Sequence, residues 1–148
     1  MVSSSEVNIE HPTANAEHRN GGKYDLDKRL LEYAVRIIRL VEVLPATRAG
    51  THVAGQLLRS GTAPLPNHAE AQAAESRADF IHKLKVCLKE LRESLRWLRL
   101  IERVPMVKAG SKLDPLLDET EELIRIFVKS IQTSQGRALV RSKFEVRC

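Results

Sequence analysis

Six basic residues between positions 85 and 103 form the clearest chemical pattern in the chain. Lys85, Lys89, Arg92, Arg96, Arg99 and Arg103 recur at spacings of four, three, four, three and four. On a helix this spacing gathers them into one cationic stripe, displaced by about a third of a turn from the apolar face. Each like-charge neighbour on an exposed helix is unfavourable by roughly 0.2–0.5 kcal/mol, so a stripe of this length implies a compensating anion. One candidate is a phosphate backbone, held through counterion release. The other is internal: Glu93, with Asp118, Glu119, Glu121 and Glu122 further along the chain, paired within the protein or across subunits. The sequence leaves both readings open. No aromatic residues interleave with the cations, so base stacking is not expected and any nucleic-acid contact should be largely insensitive to base sequence.

Other reactive residue types are scattered. Arg77 and His82 have the Arg-x4-His form of metal-independent ribonucleases built on helical bundles, in which arginine would stabilise phosphate charge and histidine would move protons. Such a pair arises easily by chance in an arginine-rich chain, so cleavage ranks behind binding and scaffolding. His52, His68 and His82 lack zinc-site spacing, and the chain has no Glu-x-x-His pair of the di-iron bundles. A nucleotide-binding glycine loop and a nucleophile elbow are also missing. No catalytic residue, metal or cofactor is therefore expected. Cys87 falls within a helical pattern and is expected to be a small core residue; with Cys148 it does not suggest a disulfide framework.

Two further groups have positional meaning. Val86, Trp97 and Leu100 lie on a third strip of the stripe-bearing helix, away from both its core face and its cations. They fit a subunit interface, or the edge of a wide core face. Arg59, Asn67, Glu70 and Glu90 are polar positions in or near apolar segments. The expectation for them is a hydrogen-bonded network serving carbonyls freed at a helix bend, in preference to an active site.

These residues need a scaffold, and the chain is long enough for one domain. Its 148 residues are 43% hydrophobic and 29% charged, a composition that folds. The formal charge of +5 biases the surface mildly towards anionic partners. No apolar run approaches the ~20 residues of a bilayer span, and no apolar signal segment opens the chain, so a cytoplasmic protein without a membrane role is expected. Residues 1–23 are polar and form an expected mobile arm, residues 24–134 carry helical periodicity, and residues 135–148 form an expected basic tail after Gly136.

Within 24–134 the apolar residues repeat every three or four positions. Leu26, Leu30, Tyr33, Ala34, Ile37, Ile38, Val41 and Leu44 define a first helix that Pro45 ends. Ser76 and Asp79 have capping-box spacing ahead of Phe80, Leu84, Cys87, Leu88, Leu91, Leu95 and Leu98, and Pro105 stops that run. A last helix is expected from about Ser111 through Leu113, Leu116, Leu117, Ile124, Phe127, Val128 and Ile131, with Pro115 in its first turn or so. Between the first helix and Ser76 lies "RSGTAPLPNHAEA", with prolines at 64 and 66. A true break there would leave two helices too short to match their neighbours at ~1.5 Å per residue. The segment is expected to be one helix kinked at Pro64 and Pro66. The expected fold is all-α: an antiparallel up-down four-helix bundle.

The segment "QLLRSGTAPLPNHAEAQAAESRADFIHKLKVCLKELRESLRWLRLI", Gln56 to Ile101, resembles the bacterial bundle proteins known as large-subunit ribosomal RNA intervening-sequence proteins. Arg59-Ser60-Gly61, Asn67, Glu70 and the Phe80 to Glu90 stretch carry the resemblance, which extends from Tyr24 to about Ser134. It implies a ring-like homo-oligomer, a pentamer, as in related accessory proteins of diversity-generating retroelements. Those proteins bind nucleic acid through a basic surface and assist a reverse transcriptase, so RNA or DNA and a reverse transcriptase are the implied partners. This chain departs from the pattern at the kink, where prolines flank Leu65 and His68 replaces an apolar or aromatic residue.

Overall fold

The computed structural model describes the backbone of residues 21–145 and the side chains of residues 26–136. The arm expected over residues 1–20 and the tail end at 146–148 lie outside the described residues. The described chain forms α1 (Gly21–Glu42), α2 (Arg48–Thr62), α3 (Pro64–Gln72), α4 (Arg77–Arg103) and α5 (Leu113–Glu145).

Helices α2 and α3 are one bent rod. Ala63 between them keeps helical backbone angles, φ −60° and ψ −36°. Its amide donates to the Arg59 carbonyl at 3.2 Å, and its carbonyl accepts from the Asn67 amide at 3.2 Å. The proline segment is thus a kink, as expected, and Pro64 occupies the first turn of α3, where a missing donor costs little. The fold is an all-α four-helix bundle with a bent second member. In it α1 packs on α2, α3 and α5, and α4 packs on the same three, so α1 and α4 stand diagonally opposed. No helix of the described residues is long and apolar enough to cross a membrane.

Local chemistry sets the helix ends. Thr47 caps α2 by accepting from the Gly50 amide at 3.0 Å, and Ser76 caps α4 by accepting from the Asp79 amide at 3.1 Å. Gly50 is required where the loop crosses α2, because a Cβ there would sit 1.9 Å from the Pro45 carbonyl oxygen. Two expected boundaries are corrected. Helix α1 begins at Gly21, within the span 1–23 expected for the arm. Gly136 does not end the last helix, since α5 continues to Glu145 and takes in most of the expected tail. A single glycine inside a helix costs only about 1 kcal/mol, and Arg137, Ala138 and Leu139 follow it as strong helix formers.

The core is built from Leu30, Tyr33 and Ile37 of α1, Val53 and Leu57 of α2, Leu84, Cys87, Leu91 and Leu98 of α4, and Leu116, Leu123 and Phe127 of α5. Cys87 is fully buried, and burial pushes its thiol up to about 12, so it behaves as a small apolar residue. Ile38, which the apolar periodicity included, is instead 44% exposed, and Leu58 of α2 is 40% exposed. They sit at the edge of each apolar arc, where no neighbouring helix arrives.

Polar groups interrupt this core at four buried positions: Ser60, His68, Ser94 and Thr120. Tyr33 of α1 meets Thr120 of α5 at 2.8 Å. The Ser94 hydroxyl of α4 lies 2.9 Å from that of Ser60 on α2. His68 of α3 places Nδ1 2.5 Å from Asp27 of α1 and Nε2 3.2 Å from Gln72. Its ring meets Phe127 of α5 edge-on, with centroids 6.0 Å apart, across the bundle diagonal. These contacts join all four members of the bundle, and no buried side-chain polar atom among the described residues lacks a partner.

Candidate nucleic-acid interface

Helix α4 buries Leu84, Cys87, Leu88, Leu91, Ser94, Leu98 and Ile101 along one face. That arc fixes where its other side chains point. Lys85, Lys89, Arg92, Arg96, Arg99 and Arg103 are all exposed. At 1.5 Å per residue the stripe from Lys85 to Arg103 runs about 27 Å along the surface. Arg99 and Arg103 lie near the C-terminus of α4, where the helix dipole favours cations. Lys85, Lys89 and Arg92 lie too far from that end for the dipole to account for them.

The neighbouring acids decide whether the stripe is neutralised. Only Arg99 is bridged among the described residues, to Glu121 of α5 at 3.0 Å. Glu119 and Glu122 are taken by Arg29 of α1, at 3.0 and 3.1 Å. The bidentate contact with Glu119 raises the affinity of Arg29 for its proton. Glu93 turns the other way, to Arg59 of α2 and the Trp97 indole. The acids expected to balance the stripe are therefore largely committed elsewhere. Lys85, Lys89, Arg92, Arg96 and Arg103 have no carboxylate partner among the described residues.

Helix α5 carries two further cations level with part of this stripe that sequence reasoning missed. The Arg99–Glu121 pair sets the antiparallel register of α4 and α5. Arg125 and Lys129, one and two turns beyond Glu121, come level with Arg96 and Arg92. Both are exposed. The available signal was their spacing of four and eight from Glu121, but its meaning depended on knowing which helix lies alongside.

The remaining candidates separate. Trp97 is half-buried, and its ring meets His52 of α2 edge-on at 6.0 Å. It therefore packs within its own chain, on the rim of the core. Val86 is also half-buried, whereas Leu100 is 41% exposed and Val104, one turn on, 56% exposed. Arg59, Asn67, Glu70 and Glu90 do not form one network. Arg59 pairs with Glu90 at 3.3 Å, Glu70 pairs with Lys83 at 2.7 Å, and the Asn67 side-chain Nδ2 donates to the Ala63 carbonyl at 2.9 Å. Two of these contacts tie the bent helix to α4, and only Asn67 serves the kink itself. Ser60 and Ser94 supply the buried polar contact close to the bend.

Arg77 and His82 are both exposed. Five positions apart on one helix, they point about 140° apart and cannot converge on one phosphate. The groove that Arg77 lines, with Phe80 and Ser134, does not include His82.

Fold and site together define a helical bundle that presents one long, solvated cationic face. The chain belongs to the 23S rRNA-intervening sequence protein family, whose family model matches residues 23–129. A crystal structure of a protein of unknown function from the S23 ribosomal protein family, from Bacteroides thetaiotaomicron, superposes with a TM-score of 0.66. It is 34% identical over 72% of this chain and 97% of that one. No curated protein matches the chain significantly.

Proposed function

We propose that this protein is a non-enzymatic, cytoplasmic, self-associating bundle that binds nucleic acid, RNA foremost, through phosphate contacts from α4. Lys85, Lys89, Arg92, Arg96 and Arg103 are the principal contacts. Arg99, shared with Glu121, is a weaker one, and Arg125 and Lys129 extend the surface. The observation that carries this reading is the unbalanced stripe: Glu119, Glu122 and Glu93 are bound to Arg29 and Arg59, and among the described residues only Arg99 of the stripe has a carboxylate partner, Glu121. The family's description refers to 23S rRNA, which makes ribosomal RNA the first ligand to try. A role beside a reverse transcriptase rests on the resemblance to retroelement accessory proteins.

The test is fluorescence anisotropy with RNA and DNA over a salt series, comparing wild type with Lys89→Glu/Arg92→Glu/Arg96→Glu. A phosphate-binding stripe gives a steep salt slope that collapses in the variant at unchanged particle size. Weak, flat binding by both proteins sinks the proposal and leaves an oligomeric scaffold. The exposed Leu100 and Val104 favour that second reading, with Val86 and Trp97 beside them as a subunit contact.

A further inference from the structure

The edge between α1 and α5 carries a second cationic feature, distinct from the α4 stripe. Arg29 and Arg36 lie two turns apart on the same side of α1. At the first level α5 offers Glu119 and Glu122, and Arg29 is neutralised. Near Arg36 the start of α5 brings Leu116, and the residue preceding that helix brings Lys112, and together they enclose a groove of about 430 Å³ with α1. That volume falls within the range of small-molecule sites, roughly 300–1,000 Å³.

The lining has two parts. Leu40 and Leu116, 8% and 2% exposed, form an apolar floor. Arg36, Arg39 and Lys112 stand around it with Glu32 as the one acid. None of these three cations has a carboxylate partner among the described residues. Arg36 is half-buried. Its guanidinium stands at the groove with no carboxylate beside it among the described residues. Its planar fork suits a carboxylate, phosphate or sulfonate in two-point contact.

We infer that this groove is a binding site for a small organic anion with an apolar body. The acidic group is held by Arg36 with Arg39 and Lys112, and the body lies on Leu40 and Leu116. This goes beyond nucleic-acid binding by α4 and can fail without it.

The probe is 8-anilino-1-naphthalenesulfonate, titrated into the full-length protein by fluorescence and calorimetry. Its uncharged counterpart N-phenyl-1-naphthylamine and inorganic phosphate serve as comparisons. The expected result is one saturable site per chain whose affinity falls about tenfold or more in Arg36→Gln/Lys112→Gln. Lys89→Glu/Arg92→Glu/Arg96→Glu leaves that site intact. Arg39→Gln, at an exposed position, gives a smaller loss and covers the case in which the double variant does not fold. Undiminished binding in both groove variants overturns the inference, as does equal affinity for the uncharged dye. Displacement by phosphate at matching concentrations would mean a plain phosphate site and overturns the apolar part. Loss of dye binding in the α4 variant would put the anion on the stripe and overturn the groove.

Discussion

The Tyr33 hydroxyl donates to Thr120 Oγ1 across 2.8 Å, at the centre of the bundle where α1 meets α5. The direction follows from proton counting. Thr120 spends its single proton on the Leu116 carbonyl at 2.7 Å, so it can only accept from Tyr33. Burial pushes Tyr33 up to about 12, against about 10 in an unfolded chain. Above pH 10 the unfolded state gives up this proton and the folded state keeps it, so stability is intact below about 10 and falls as pH rises towards 12. The loss ascribable to this one group is about 2–3 kcal/mol. Tyr33→Phe should cost about 0.5–1.5 kcal/mol at neutral pH and then show a shallower alkaline decline. Urea unfolding at pH 7, 10 and 11.5 compares the two proteins; parallel declines would remove Tyr33 as the cause.

Gly61 and Gly55 both lie in α2 and should respond oppositely to alanine. A Cβ at Gly61 would meet two side-chain carbons of the buried Ile37 at 2.8 Å, whereas nothing lies within 4 Å of one at Gly55. Gly55→Ala should stabilise by about 0.5–1 kcal/mol. Gly61→Ala should destabilise by roughly 1–3 kcal/mol through overpacking. Thermal melts test both, and Gly61→Ala/Ile37→Ala should cost less than the sum of its parts, because the clash is shared.

His68 is a packing residue held at both ring nitrogens. His68→Ala should lose roughly 2–4 kcal/mol, through a cavity beside Phe127 and an abandoned partner at Gln72. Asp27 is half-exposed and can turn to water, so Asp27→Asn should cost only about 1 kcal/mol. Equilibrium unfolding of the two variants ranks them, and a larger loss for Asp27→Asn would contradict the packing role.

Charge on α4 should act through salt. Removing Lys89, Arg92 and Arg96 should lower the slope of log K against log salt by about 2 for single-stranded RNA. Glu121→Gln releases Arg99 and should tighten RNA binding by a few fold, with little effect on the melting temperature. A Glu121→Gln protein with unchanged affinity would place Arg99 outside the contact surface.

Self-association through the Val86, Trp97 and Leu100 strip is best tested at Leu100. Trp97→Ala should give a smaller particle by light scattering with helicity retained, but it also removes the contact with His52. Leu100→Glu alters an exposed position and should shrink the particle without that internal loss. Unchanged size in both variants would remove the strip from any interface.

The four bundle members, the cap at Ser76, the proline bend and the α4 stripe were legible in the sequence. Each depends on residues within a few positions of one another on a single helix. The end of α5 was misjudged at Gly136 because neighbouring helix formers outweigh one glycine. Hydroxyls at Ser94 and Thr120, in places where apolar periodicity demands a hydrophobe, were a usable sign of polar contacts in the core. The network imagined from Arg59, Asn67, Glu70 and Glu90 had no such sign, since polar residues near a kink look alike whether they turn inward or across to another helix.

The amino-acid sequence by itself determined where the helices lie and that six cations share one face, because helical periodicity and capping are local. Only the tertiary structure decided which charges are neutralised. Arg29 and Arg59 claim Glu119, Glu122 and Glu93, leaving most of the stripe unpaired. The same holds for His68 reaching Phe127 and for Ile38 and Leu58 remaining exposed. These outcomes depend on which helices are neighbours and in what register, and contacts between residues dozens of positions apart leave no local trace in the chain.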